Sequence, residues 1–274
     1  MAISEVSKGL DPSSEKMTQE VTWKSNEMMT IAAARTLTDN MICFVGIGIP
    51  STAAILAKAT HAPNLVLIYE SGTVNTDPQK LPLSIGDGEL ANRALTVVSM
   101  PEIFNYWLQP GRIDVGFLGA AQIDRFANIN TTVIGDDYQN PKVRLPGAGG
   151  ATEIAGACKE VIIIIKQSTR AFVSEIDFVT SLGFGDGPGS RERNGLIGGG
   201  PRYVITDLGI LEPDPQSKEL VLTSLHPGVT LEQAKENTGW DLKISPDLGT
   251  TPAPKASELE KVRALVATSS RKKA

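Results

Sequence analysis

The run NLVLIYESGTV, residues 64–74, ends a strand-like apolar stretch in an ionisable carboxylate, Glu70, followed by Ser71 and Gly72. A carboxylate at the end of a buried strand can be held by a partner, tolerated at a solvent edge, or placed for chemistry. As a nucleophile it can attack an activated acyl group and form an anhydride. Other nucleophilic machinery is scarce. The chain has two histidines, His61 in HAPNL and His226 in LHPGVT, both in turn contexts, so Ser-His-Asp, Cys-His and multi-histidine metal sites are poorly supplied. Its two cysteines, Cys43 and Cys158, border apolar runs without metal-ligand spacing and read as buried thiols in a reducing compartment. No metal is expected. Chemistry here must rest on carboxylates, amides and backbone groups.

Two glycine stretches could supply those backbone groups. GIGIP, residues 46–50, leaves a strand and enters a helix, so Gly46 and Gly48 let amides approach an anion. It lacks the third glycine of a dinucleotide fingerprint and the GK[ST] of a P-loop; a tight turn without a ligand remains open. LPGAGGATEIA places Gly147, Gly149 and Gly150 before a helical stretch, the construction an oxyanion hole needs, although a flexible connection reads equally well. A third glycine-rich segment, residues 177–204 with Arg191 and Arg193, is either a cover for a site, a meeting place with a partner chain, or a surface excursion. Taken alone, Glu70 also keeps two readings: partner of an arginine or helix N-terminus, or nucleophile at the carboxyl end of a parallel strand, where open α/β sheets bind ligands.

The elements that must position these residues follow from periodicity. Apolar residues make up 41% of the 274 and charged ones 21%, which is ordinary for a globular protein. A net charge of −5 argues against a general nucleic-acid binder. No apolar run is long enough to span a bilayer and the first residues show no apolar signal core, so a soluble cytoplasmic protein is expected. A helix through NEMMTIAAARTL starts with Ser25 as N-cap, and strand MICFVG, loop GIGIPS, helix TAAILAKAT and strand NLVLIY follow as a parallel crossover unit. Further strands are expected at LTVVSM, VGFLGAA, EVIIIIKQ, YVITDLGIL and ELVLTSL, and short helices at PEIFNYWLQ and GATEIAGAC. Their continuous apolar character suits burial on both faces. This gives a flexible arm at 1–24, one α/β domain with an open, mostly parallel sheet at 25–248, and a Pro-rich linker with a short helix and tail at 249–274.

IYESG taken together with GIGIPS, GFLGAAQIDRFANINTT and LPGAGGA, in that order, resembles the β subunit of the family I coenzyme A transferases over nearly all of residues 25–245. SNEMMTIAAARTL and LPLSIGDGELA are similar to its oxoadipate branch, and the glutaconate branch matches less of the text. The resemblance implies the α/β sandwich shared by CoA transferases and sugar-phosphate isomerase-like proteins. It also implies an α-subunit partner in an αβ or α2β2 assembly, and CoA as a carried substrate with no tightly bound cofactor. Glu70 then corresponds to the catalytic nucleophile, Gly149 and Gly150 to the oxyanion loop, and Gly46, Gly48, Ser71, Gly72, Gln122 and Asn130 to CoA or substrate contacts. Acetoacetate-type members carry Glu-Asn-Gly where this chain has Ser71, a difference of substrate branch that leaves the nucleophile intact. The expected reaction moves CoA from succinyl-CoA to 3-oxoadipate or a related dicarboxylate. A hydrolase or lyase on the same fold, or a non-catalytic effector-binding domain, are the alternatives; neither needs Glu70.

Overall fold

The structure, a computed structural model, describes residues 22–270. Residues 1–21 of the expected arm therefore lie outside the described residues. Ten strands form one sheet: β1 (Ile42–Phe44), β2 (Val66–Ile68), β3 (Thr73–Val74), β4 (Thr96–Val97), β5 (Val115–Leu118), β6 (Glu160–Ile164), β7 (Pro201–Ile205), β8 (Gly209–Pro213), β9 (Leu220–Leu225) and β10 (Lys243–Thr250). Their spatial order is β10-β9-β8-β7-β6-β5-β1-β2-β3-β4. The five central strands, β2-β1-β5-β6-β7, run parallel. On one side β3 and β4 continue antiparallel. On the other, β8 and β9 are antiparallel and β10 pairs parallel with β9.

The apolar runs work as expected at the centre. Along β6, Val161 and Ile163 join the core on one face while Ile162 and Ile164 join the core on the other. On one face lie α1 (Ser25–Arg35) and α2 (Ile49–Lys58), with Met28, Ile31, Ala32 and Leu37 all buried; against the other lie α3 (Ala151–Ala157) and α4 (Leu231–Glu236). No described helix is long and apolar enough to cross a membrane.

Four expectations are corrected. Lys24, not Ser25, is the N-cap of α1, because the Glu27 carboxylate accepts the Lys24 amide at 2.8 Å and Ser25 is already helical. LTVVSM yields only β4, at the sheet edge, with Val97 55% exposed. YVITDLGIL is a hairpin, not one strand. The Thr206 hydroxyl oxygen accepts the amides of Leu208 and Gly209 at 3.0 and 2.9 Å and turns β7 into β8.

The fourth concerns the C-terminus. β10 runs through residue 248, and α5 (Ala256–Ser270) is a core element rather than a loose end. It buries Leu259 and Val262 against α1 and α2. Arg35 clamps it through Glu258 at 2.6 Å and the carbonyl of Pro252 at 2.6 Å, and Arg263 returns to Glu27 at 2.7 Å.

A buried cation fastens the glycine-rich segment. Arg191 is 5% exposed, and its guanidinium donates to the carbonyls of Gly183 (2.8 Å), Gly198 (3.0 Å) and Ala155 (2.8 Å). The loop is thereby fastened to the last turn of α3.

Candidate active site

Glu70 lies just beyond β2, at the carboxyl edge of the parallel strands. The Tyr69 amide donates to Thr73 O at 3.1 Å and the Gly72 amide to Tyr69 O at 3.0 Å, so Glu70, Ser71 and Gly72 form a three-residue hairpin loop between β2 and β3. Gly72 has φ +105°, and a Cβ there would stand 1.9 Å from Val98 O. Only glycine closes this loop. The carboxylate is thus set on a short turn that the neighbouring backbone fixes from both sides.

Beside it stands the glycine loop of β1. Phe44 pairs with Ile68 and the Val45 amide donates to Ile68 O at 2.9 Å, so Gly46 to Gly48 leave the sheet next to the Glu70 turn. The Ser51 hydroxyl lies 2.8 Å from Gly46 O and 3.2 Å from the Tyr69 hydroxyl. A carbonyl only accepts, so Ser51 spends its proton on Gly46 and Tyr69 must donate to Ser51. This chain ties the β1 loop to the residue before Glu70. Burial raises Tyr69 well above the ordinary phenol value, which keeps that proton in place.

From across the sheet edge comes the second glycine loop. The point a Gly150 Cβ would occupy is 3.5 Å from Glu70 Oε1 and 2.8 Å from Phe104 Cζ. Gly147 is fastened by its amide to Thr131 O at 2.8 Å, whereas among the described residues no acceptor meets the Gly149 or Gly150 amide. Glu70 is half-buried, and among the described residues no hydrogen bond or ion pair reaches its carboxylate. No arginine among the described residues holds it. The Ser71 hydroxyl beside it is buried without a partner.

Gln122 and Asn130, expected as ligand contacts, are both buried and hydrogen-bonded within the chain. Asn130 is fully buried; its Nδ2 donates to Gln122 Oε1 at 2.7 Å and to Val133 O at 2.6 Å, and its Oδ1 accepts the Thr132 amide at 2.9 Å. Gln122 Oε1 also accepts the Asp177 amide at 3.0 Å. These bonds shape the strand-and-turn path that leads to Gly147. Phe104, which sequence reasoning placed in a short helix with no role, is at the site. Its position depends on a π-helical turn, Ile103–Leu108, which leaves no mark in the apolar pattern. Among the described residues no three His, Cys, Asp or Glu side chains come together to hold a metal.

An unpaired carboxylate beside a glycine loop with unbonded amides suits acyl chemistry: one group attacks a carbonyl and amides can receive the oxygen that becomes negative. Comparison with known proteins agrees. Residues 26–237 match the model of the coenzyme A transferase family. The chain is 62% identical over 245 residues to the B-subunit of 3-oxoadipate CoA-transferase from Pseudomonas knackmussii, covering 89% of this chain and 94% of that one. It is 38% identical over 236 residues to the B-subunit of glutaconate CoA-transferase from Acidaminococcus fermentans, covering 84% and 87%. The crystal structure of that glutaconate enzyme superposes with a TM-score of 0.83 at 35% identity, over 88% of this chain and 94% of that one. The chain belongs to the coenzyme A transferase family.

Proposed function

We propose that this chain is the β subunit of an enzyme that moves CoA from succinyl-CoA to 3-oxoadipate, with Glu70 as nucleophile and an α subunit completing the site. The observation that carries this reading is the half-buried Glu70 carboxylate, unpartnered among the described residues and set against Gly150. In the first step a Glu70 oxygen attacks the succinyl-CoA carbonyl, the C–S bond breaks, and a glutamyl–succinyl anhydride and CoA thiolate form. The thiolate attacks the glutamyl carbonyl and releases succinate, leaving a Glu70–CoA thioester. A carboxylate of 3-oxoadipate attacks that thioester, and CoA returns to the acyl group to leave 3-oxoadipyl-CoA and free Glu70. Each tetrahedral oxygen needs donors, which the Gly149 and Gly150 amides supply; loss of one such donor costs about 3 kcal/mol in barrier. Ser71 and the β1 glycine loop, Gly46 and Gly48, border the carboxylate, where CoA or acyl groups would lie. The two buried thiols accord with a reducing cytoplasm.

The test is CoA exchange by the chain co-expressed with its α subunit, using succinyl-CoA and candidate acids. Ping-pong kinetics with 3-oxoadipate are expected, as is loss of exchange in Glu70→Ala. Activity on glutaconate but not 3-oxoadipate overturns the substrate, and near wild-type exchange in Glu70→Ala overturns the covalent route.

A further inference from the structure

Phe104 is the second residue of the π-helical turn, and the Gln109 amide reaches back five residues to its carbonyl at 2.9 Å. Ile103 and Leu108 are both fully buried. Five residues of α-helix rotate about 140° past a full turn, so an α-helical path would aim one of the two away from the core. The wider turn seats both, and it leaves Phe104 beside the sheet edge, where its ring meets Phe44 edge-on at a centroid distance of 6.3 Å and 66°. Two ring carbons, at 2.8 and 3.1 Å, and Glu70 Oε1, at 3.5 Å, are the nearest atoms to the place where Gly150 lacks a Cβ. Ring, glycine and carboxylate therefore converge on one point.

The polar groups there, a carboxylate and free amides, attract water. Water is also the competitor of any acyl intermediate on Glu70. Its oxygen would attack the glutamyl carbonyl carbon of a thioester, the C–S bond would break, the CoA sulfur would leave with one proton, and Glu70 would return as carboxylate with the other proton lost to solvent. A transferase becomes a hydrolase unless that attack is blocked. We propose that the Phe104 ring is this block, held against Glu70 by the π-helical turn and by the bare Cα of Gly150. The inference rests on the covalent reading of Glu70 given above.

The experiment uses the chain in complex with its α subunit and measures two rates. One is CoA exchange between succinyl-CoA and 3-oxoadipate; the other is thiol release from succinyl-CoA with no acceptor present. In Phe104→Ala the ratio of thiol release to exchange should rise at least about tenfold, with a smaller rise in Phe104→Leu. Gly150→Ala alone should lose exchange because its Cβ meets the ring, and Phe104→Ala combined with Gly150→Ala should recover part of it. Parallel loss of both rates in the Phe104 variants, with the ratio unchanged, means the ring only supports the fold and overturns the proposal; so does full exchange in Gly150→Ala. Glu70→Ala separates the two layers. Exchange that survives it overturns the nucleophile and the barrier together, whereas exchange that needs Glu70 with an unmoved ratio overturns the barrier alone.

Discussion

Arg191→Met tests whether one buried cation holds the glycine-rich segment. The guanidinium bonds three carbonyls at 3.1 Å or closer, those of Gly183, Gly198 and Ala155, and lies farther from Leu182 O at 3.3 Å. Methionine fills the space of the stem but donates nothing. Each buried carbonyl left without a donor costs at least about 1 kcal/mol, so three cost about 3 kcal/mol. Because the lost partners are neutral, no unpaired charge is left behind, and the larger penalty of a broken buried ion pair does not apply. For a chain of this size about 3 kcal/mol lowers the melting midpoint by about 6–12 °C. Lysine keeps the charge but not the planar fork, and should recover only part of the loss. Thermal and urea unfolding of the purified complex measures both variants. CoA exchange should fall as well, since Ala155 lies in the last turn of α3, whose first turn begins at Gly150. Arg191→Met within about 0.5 kcal/mol of wild type, or Arg191→Lys equal to wild type, refutes this reasoning.

Three further outcomes follow from the geometry. Gly72→Ala should destabilise by more than about 4 kcal/mol, because it combines a positive φ with a Cβ 1.9 Å from Val98 O; the yield of folded protein and its circular dichroism report this. Tyr69→Phe should cost about 1 kcal/mol, and Ser51→Ala combined with it should cost less than the sum of the two, since both remove the same bond. His226 is buried with Nε2 2.8 Å from Thr206 O, and burial lowers it below the ordinary imidazole value. Its contribution is complete above the ordinary value of about 6.5 and is lost as pH falls through the lowered folded-state value, by at most about 1.4 kcal/mol per pH unit. Urea midpoints measured from pH 7 down to pH 5 should show this slope, and His226→Gln should flatten it.

The parts of the fold that sequence exposes are those built from contiguous pattern. The run EVIIIIKQ announces a strand covered on both faces, and IYESG announces a strand, a carboxylate and a turn. That the Gly149–Gly150 loop serves Glu70 is an implication of the resemblance; the structure puts the place of a Gly150 Cβ 3.5 Å from Glu70 Oε1. What stayed hidden depends on contacts distant in the chain. The amphipathic face of α5 is weak in sequence, and its place in the core is set by Arg35 and Glu27 from more than two hundred residues away. The resemblance names Asn130 as a CoA or substrate contact, but the bonds its amide makes to Val133 and Gln122 depend on the folded path of the chain and leave no mark in the sequence. Phe104 was invisible for a different reason: a single widened turn changes which side chain faces the sheet edge without altering composition.

The two halves of the site differ in how far apart they lie along the chain. The Glu70 loop joins β2 to β3, neighbours in sequence, and such hairpins form on the microsecond scale. Gly150 reaches it only after about eighty intervening residues are closed, through β5 and the strand-and-turn path that follows. The carboxylate thus acquires the glycine loop beside it late in folding, and loses it early when the chain loosens. Under rising denaturant, catalytic competence should disappear while the parallel strands still give their spectroscopic signal. A chain that has reached activity has therefore already closed the path from Glu70 to Gly150.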